Sequence, residues 1–135
     1  MITRQDLCKG YDFDELSKDI QVNLDTLQIR INNIMTLWGQ DFVVTSGFRS
    51  MEDHLRIYAD KGITDQSKIP THSKHLYGQA VDIEDKDGSL ATWCHENDGQ
   101  HVIDCELWCE ATESTTGWVH FQIIPPGSGH RFFIP

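Results

Sequence analysis

Residues 73–84 have the sequence SKHLYGQAVDIE, which joins a polar, glycine-containing turn to an alternating segment that predicts a β-strand. His75 and Asp82 lie seven positions apart in it, about 23 Å in extended chain or about 10 Å in a helix. Neither distance lets an imidazole and a carboxylate share one metal ion, whose ligands lie about 2 Å from it. If they do share an ion, the chain must turn back between them, and Gly78 tolerates the backbone angles of such a turn.

A third candidate ligand, His120, lies in another alternating segment. Strands are predicted over residues 80–84 and 118–124, and in each the apolar neighbours of the polar residue point to the opposite face. Each strand therefore has an apolar face for the core and a face that presents Asp82 or His120. If the two strands pair, these side chains can point at the same place, with His75 supplied by the preceding turn.

The remaining chain predicts helices around these strands. Apolar residues recur at spacings of three and four from about Asp14 to Trp38, which predicts a long amphipathic helix capped by Asp12 or Asp14 and ended by Gly39. The other predicted elements are a short strand in residues 41–47, a helix over 51–60 begun by a Ser50/Asp53 capping box and ended by Gly62, a long loop over 63–77, a short helix around 89–96, a strand over 101–107 and an irregular tail.

We therefore predict one α+β domain over residues 1–135, in which a long N-terminal helix and further helices pack on a small antiparallel sheet. The candidate metal site is expected in a surface cleft. A monomer is expected.

Composition limits the classes of partner. The formal net charge is -10, with 11 basic residues against 21 acidic ones, which argues against nucleic acid as a ligand. No stretch has the apolar length of a membrane span, and the N-terminus does not have the pattern of a signal peptide. The sequence thus predicts synthesis in the cytoplasm without membrane insertion.

The four cysteines, Cys8, Cys94, Cys105 and Cys109, form no C-x-x-C pair. Free, buried thiols are expected in a protein made in the cytoplasm. A second, structural metal site from Cys94, His95, Cys105 and Cys109 is an alternative, although their spacing is irregular.

The pattern Ser-x-His-x-x-Gly-x-Ala-x-Asp in residues 73–82, followed by Trp-x-His in 118–120, resembles the zinc-binding signature of the M15 peptidases. That family includes D-Ala-D-Ala carboxypeptidases and the L-alanyl-D-glutamate endopeptidases of bacteriophage lysins. The segment Thr-Ser-Gly-Phe-Arg-Ser in residues 45–50 is also similar to the family's pattern. The fold that the resemblance implies also occurs in a non-enzymatic, zinc-bearing signalling domain, so the fold alone does not imply catalysis.

The resemblance implies a role for each candidate residue. His75, Asp82 and His120 would bind Zn²⁺, which would activate a water molecule for attack on a peptide bond. Arg49 would engage a substrate carbonyl or carboxylate, and Ser73 would contact the substrate or a ligand. The other histidines lack such a motif, and surface positions are expected for them, with His72 and His130 as further candidates to line the cleft.

One part of the family pattern is missing. Many members carry Glu or Asp three residues before the last histidine as general base, but here that residue is Gly117. Glu110 and Glu113 are the nearest acids upstream, and we favour Glu110 because it is expected at the end of a strand.

The resemblance thus implies a zinc peptidase acting on peptidoglycan stem peptides, either a D,D-carboxypeptidase or an L-Ala-D-Glu endopeptidase. The expected setting is a phage-encoded lysin or a prophage relative, which acts in the periplasm or cell wall after a partner protein opens the membrane. Gly117 keeps open the alternative of a non-catalytic zinc-bound domain that binds a peptide or partner.

Overall fold

The apolar stripe of the predicted long helix forms the centre of the core. In the computed structural model, which describes residues Met1–Pro135, this helix packs Leu24, Leu27, Ile31 and Ile34 so that none of them contacts solvent. It begins later than predicted, because Ser17 caps it and residues 13–15 form a separate turn of 3-10 helix. It ends at Gly39 as predicted, where a positive φ of 82° closes the last turn.

Ten helices and strands follow one another along the chain, and four of the connections between them contain short 3-10 turns. They are α1 (Arg4–Cys8), α2 (Lys18–Trp38), β1 (Val44–Ser46), α3 (Met51–Asp60), β2 (Ala80–Glu84), α4 (Ser89–His95), α5 (Gln100–Asp104), β3 (Trp108–Glu110), β4 (Trp118–Gln122) and β5 (Phe132–Phe133). The α+β class is confirmed, and none of these helices is both long and apolar enough to cross a lipid bilayer.

The five strands form one sheet in the order β1-β2-β4-β3-β5. The pairs along β1-β2-β4-β3 are antiparallel, as predicted, whereas the short β5 runs parallel to β3. This last strand lies in the tail that was expected to be irregular. In the central pair, Asp82 lies directly opposite His120, which is the register that the strand alternation favoured.

The strand predicted over residues 101–107 is wrong, because the chain forms helix α5 there and β3 begins only at Trp108. Asn97, Asp98 and Gly99 all have positive φ just before it, so the chain reverses and starts a new helical turn. Val102 and Cys105, three residues apart, are then both buried. A short apolar run of this kind fits a helix and a strand equally well.

Candidate metal centre

Three side chains from separate parts of the chain meet at one point. His75 lies in a 3-10 turn (Lys74–Tyr77), Asp82 on β2 and His120 on β4. One ligand atom from each lies within 4.8 Å of the others. The chain turns back at Gly78, where φ is 70° and a Cβ would lie 2.9 Å from the Leu24 side chain. The turn predicted from the sequence is therefore present.

The Asp82 carboxylate bridges the two imidazoles. Its Oδ1 lies 2.9 Å from Nδ1 of His120, and its Oδ2 lies 3.3 Å from Nε2 of His75. Burial disfavours the charged carboxylate, but the hydrogen bonds from His120 and His75 outweigh burial and hold the pKa of Asp82 well below its usual range. Asp82 is therefore an anion in the folded protein.

The pKa of His120, in contrast to that of Asp82, is raised. Burial alone would lower its pKa, but the hydrogen bond to Asp82 and the nearby charge of Glu110 raise it. Both ring nitrogens of His120 face oxygen atoms, Oδ1 of Asp82 and Oε1 of Gln122, and these contacts are the physical cause of the raised pKa. One anionic oxygen ligand and two imidazole nitrogens are a donor set that suits zinc and leaves a coordination position for another molecule. The residues present therefore fit a bound metal ion.

The site borders a cavity of about 720 Å³. Besides the three candidate ligands, its lining includes the predicted site residues Arg49, Ser73 and Glu110, together with Trp118 and His72 but not His130. The structure therefore brings the three candidate ligands together with Arg49, Ser73 and Glu110 in one cavity. Cys94, His95, Cys105 and Cys109 form no such group. The His95 ring instead stacks on Phe132 and bonds Thr112.

Comparison with curated proteins finds a relative of known activity. The chain is 32% identical, over 126 residues, to the peptidoglycan L-alanyl-D-glutamate endopeptidase CwlK of Bacillus subtilis strain 168, covering 82% of this chain and 71% of the relative. This chain belongs to the M15 family. No protein-family model matches the chain, and no solved structure does.

In this M15 chain, Arg49 lies between β1 and α3, as the sequence predicted, and its side chain makes no hydrogen bond or ion pair within the protein. Its Nε is buried without a hydrogen bond, and burial lowers the pKa of the guanidinium while Asp82 raises it. Its backbone N–H donates to the carbonyl of His75 over 3.3 Å, which ties the arginine to a candidate ligand. A half-buried guanidinium beside a cavity, with no acceptor within the protein, is arranged to receive an acceptor group from another molecule.

The M15 position that lacks an acid, Gly117, has a structural reason to be glycine. Its φ is 94°, a conformation that side chains other than glycine rarely adopt, and its carbonyl accepts the Asp85 N–H. Glu110 lies elsewhere, at the end of β3, with Oε1 3.9 Å from Nδ1 of His120. Burial raises the pKa of Glu110, which the charge of His120 only partly offsets. Glu113 is exposed and does not line the cavity.

The sequence did not point to three residues that support the site. Gly47 offers its carbonyl to Nδ1 of His75 at 2.9 Å, and Gln122 bonds His120. His54, for which a surface position was expected, is fully buried on α3, and its Nε2 lies 2.7 Å from the Pro70 carbonyl. That contact fixes the loop leading to Ser73. In the sequence, the only signals for the roles of Gly47 and Gln122 were a glycine in a tight turn and a glutamine two residues after a candidate ligand.

Proposed function

We propose that this chain is a zinc-dependent peptidase that hydrolyses peptide bonds in peptidoglycan stem peptides, with the L-alanyl-D-glutamate bond as its target. Membership of the M15 family and the L-alanyl-D-glutamate endopeptidase activity of the B. subtilis relative support this substrate. The observation that carries the proposal is the meeting of His75, Asp82 and His120 beside the unpaired Arg49 in one cavity.

Each candidate site residue has its own role in the proposed reaction. His75, Asp82 and His120 would hold the zinc ion, which supplies a Lewis acid and lowers the pKa of a water molecule near the scissile carbonyl. Arg49 donates hydrogen bonds to a carbonyl or carboxylate of the peptide, because its guanidinium has no acceptor within the protein. Ser73 lines the same cavity, and its hydroxyl makes no capping bond to its own turn, so it is free to bond the peptide.

Glu110 is the proposed general base. A base should lie within reach of the attacking water and have a pKa closer to neutrality than an ordinary carboxyl group. Glu110 lines the cavity, faces His120 and is shielded enough that burial raises its pKa. It would take the proton from water and return it to the amine that leaves.

The test is digestion of isolated cell walls by the purified, zinc-loaded protein, with mass spectrometry of the released muropeptides. The expected products carry a new amino terminus on D-Glu, whereas free D-Ala would indicate the carboxypeptidase reaction instead. Activity should fall by about a thousandfold or more in His120→Ala, because an incomplete site no longer holds the catalytic metal. His130→Ala removes an exposed histidine outside the cavity and should keep full activity. Walls left unchanged by the wild-type protein would refute the proposal.

The base is tested separately by a matched pair of variants. Glu110→Gln should lower kcat by about 10²–10⁴-fold, because the amide cannot accept the proton. Glu113→Gln changes the other acid nearby and should leave kcat unaltered. Equal activity of the two variants would remove Glu110 from the mechanism.

A non-catalytic, zinc-bound domain is the second candidate function, and Gly117 at the usual position of the base favours it. Such a domain would bind stem peptides or a partner without cleaving them. Tight binding to cell walls with no released muropeptides, in protein that is shown to contain zinc, would support this function over the peptidase.

A further inference from the structure

The two histidines of the metal centre present different ring nitrogens to it. Nδ1 of His75 lies 2.9 Å from the Gly47 carbonyl, which can only accept, so this nitrogen carries the proton and Nε2 faces Asp82. In His120 the arrangement is reversed. Its Nδ1 faces Asp82 at 2.9 Å, and its Nε2 lies 2.9 Å from Oε1 of Gln122. A backbone carbonyl orients the first ring, whereas a side chain orients the second.

The orientation of the Gln122 amide is itself determined by a backbone group. Its Nε2 donates to the carbonyl of Ile124 over 2.8 Å, and a flipped amide would place two acceptor oxygens against each other. The amide oxygen must therefore face His120, whose Nε2 must be the donor. Gln122 and His120 are only 3% and 6% exposed, so water does not replace either hydrogen bond.

We infer that Gln122 is a positioning residue that holds the proton on Nε2 of His120 and thereby directs Nδ1 of this ring at the metal. The chain of bonds runs from the Ile124 carbonyl through the Gln122 amide to the imidazole. Because the amide is neutral, it orients the ring without adding a third negative charge beside Asp82 and Glu110. Groups that orient a metal-binding histidine in this way commonly change metal affinity by about 10–100-fold. The inference rests on the metal centre of the proposed function.

The decisive variant is Gln122→Met, which keeps the length of the side chain and removes its acceptor. We expect its zinc dissociation constant, measured by competition with a chromophoric chelator, to rise by about 10–100-fold. Gln28→Met is the matched control, because Gln28 also donates to a backbone carbonyl, that of Ile2, but lies away from the site. This control should bind zinc as the wild type does. An unchanged dissociation constant in Gln122→Met would overturn the inference.

A second measurement needs no variant and is independent of any effect on folding. Long-range ¹H–¹⁵N NMR spectra of the zinc-loaded wild-type protein distinguish protonated from metal-bound ring nitrogens. We expect His120 to bind through Nδ1 with a proton on Nε2, and His75 to show the reverse. Metal bound to Nε2 of His120 would contradict the role of Gln122 in holding a proton on that nitrogen.

The same titrations separate this inference from the proposed function. If His120→Ala loses zinc while Gln122→Met does not, only the role of Gln122 fails. If His120→Ala binds zinc as tightly as the wild type, the metal centre itself is wrong, and the inference fails with it.

Discussion

At the scale of single residues, Gly47 links the core to the metal centre. A Cβ at this position would lie 2.2 Å from the carbonyl oxygen of Leu7, on α1, which also accepts the Phe48 N–H over 2.8 Å. The Gly47 carbonyl points the other way and accepts from His75. The close packing of Gly47 against the Leu7 backbone therefore determines the position of the Gly47 carbonyl, which is the hydrogen-bond partner of His75.

Gly47→Ala should consequently affect both stability and metal binding. Because backbone atoms must move to make room for the methyl group, we expect the free energy of unfolding to fall by about 1–3 kcal/mol. Displacement of the carbonyl should weaken zinc binding by about tenfold. Urea denaturation and a zinc titration measure the two effects. Gly127→Ala is the control, because no atom lies within 4 Å of its added Cβ. Equal stability of both variants would show that α1 moves to make room for the methyl group without loss of stability.

At this scale the sequence predicted the residues that carry chemistry better than those that support them. Spacing and alternation predicted that His75, Asp82 and His120 can converge, and the structure brings them together. The contacts of Gly47 and Gln122 depend on which backbone carbonyl lies nearby in three dimensions. Only the folded chain determines that, and no periodic pattern records it.

Among the secondary-structure elements, α4 depends on a single carboxylate. Asp85, just after β2, accepts the backbone N–H of Leu90 at Oδ1 and that of Ala91 at Oδ2, over 3.0 and 2.9 Å. The residue is buried, and its own N–H donates to Gly117. Asp85 thereby joins the start of α4 to the turn that precedes His120.

Asp85→Asn should destabilise the protein by about 1–3 kcal/mol, because the amide group turns one of two acceptors into a donor facing a buried N–H. The negative charge near the first turn of the helix is lost as well. Asp87→Asn is the matched control, since Asp87 is exposed and accepts from Ser89 at the same turn. Thermal unfolding of both variants checks this expectation. A smaller loss in Asp85→Asn than in Asp87→Asn would contradict the assigned role.

Elements with a long or regular pattern were predicted well, and short ones were not. α3 and β2 have the predicted bounds, because a capping serine and a strict alternation determine them. In residues 97–110 the pattern failed, because three successive positive-φ residues insert a turn that hydrophobicity does not reveal. Glu110 nevertheless lies at the end of a strand, although that strand is β3 and not the predicted one.

At the scale of the whole molecule, the reactivity of the four cysteine thiols measures how well the core excludes solvent. All are free and buried, at 6% exposure or less, and burial raises the thiol pKa of Cys8, Cys105 and Cys109. A thiol reacts as the thiolate, so we expect almost no reaction of the folded protein with Ellman's reagent at neutral pH. Unfolding in guanidinium should release all four thiols. Rapid reaction of one thiol in the folded state would indicate that the core opens there.

Metal binding should stabilise the entire fold, because the candidate ligands come from three separate segments that only the folded chain brings together. With free zinc at a hundredfold excess over the dissociation constant, linkage predicts a stabilisation of about 2.7 kcal/mol. For a chain of this size that corresponds to a rise in Tm of roughly 10 °C. Calorimetry with zinc and with a chelator measures it. His120→Ala should lose the zinc-dependent rise and His130→Ala should retain it, whereas a rise that persists in His120→Ala would place the bound metal elsewhere in the molecule.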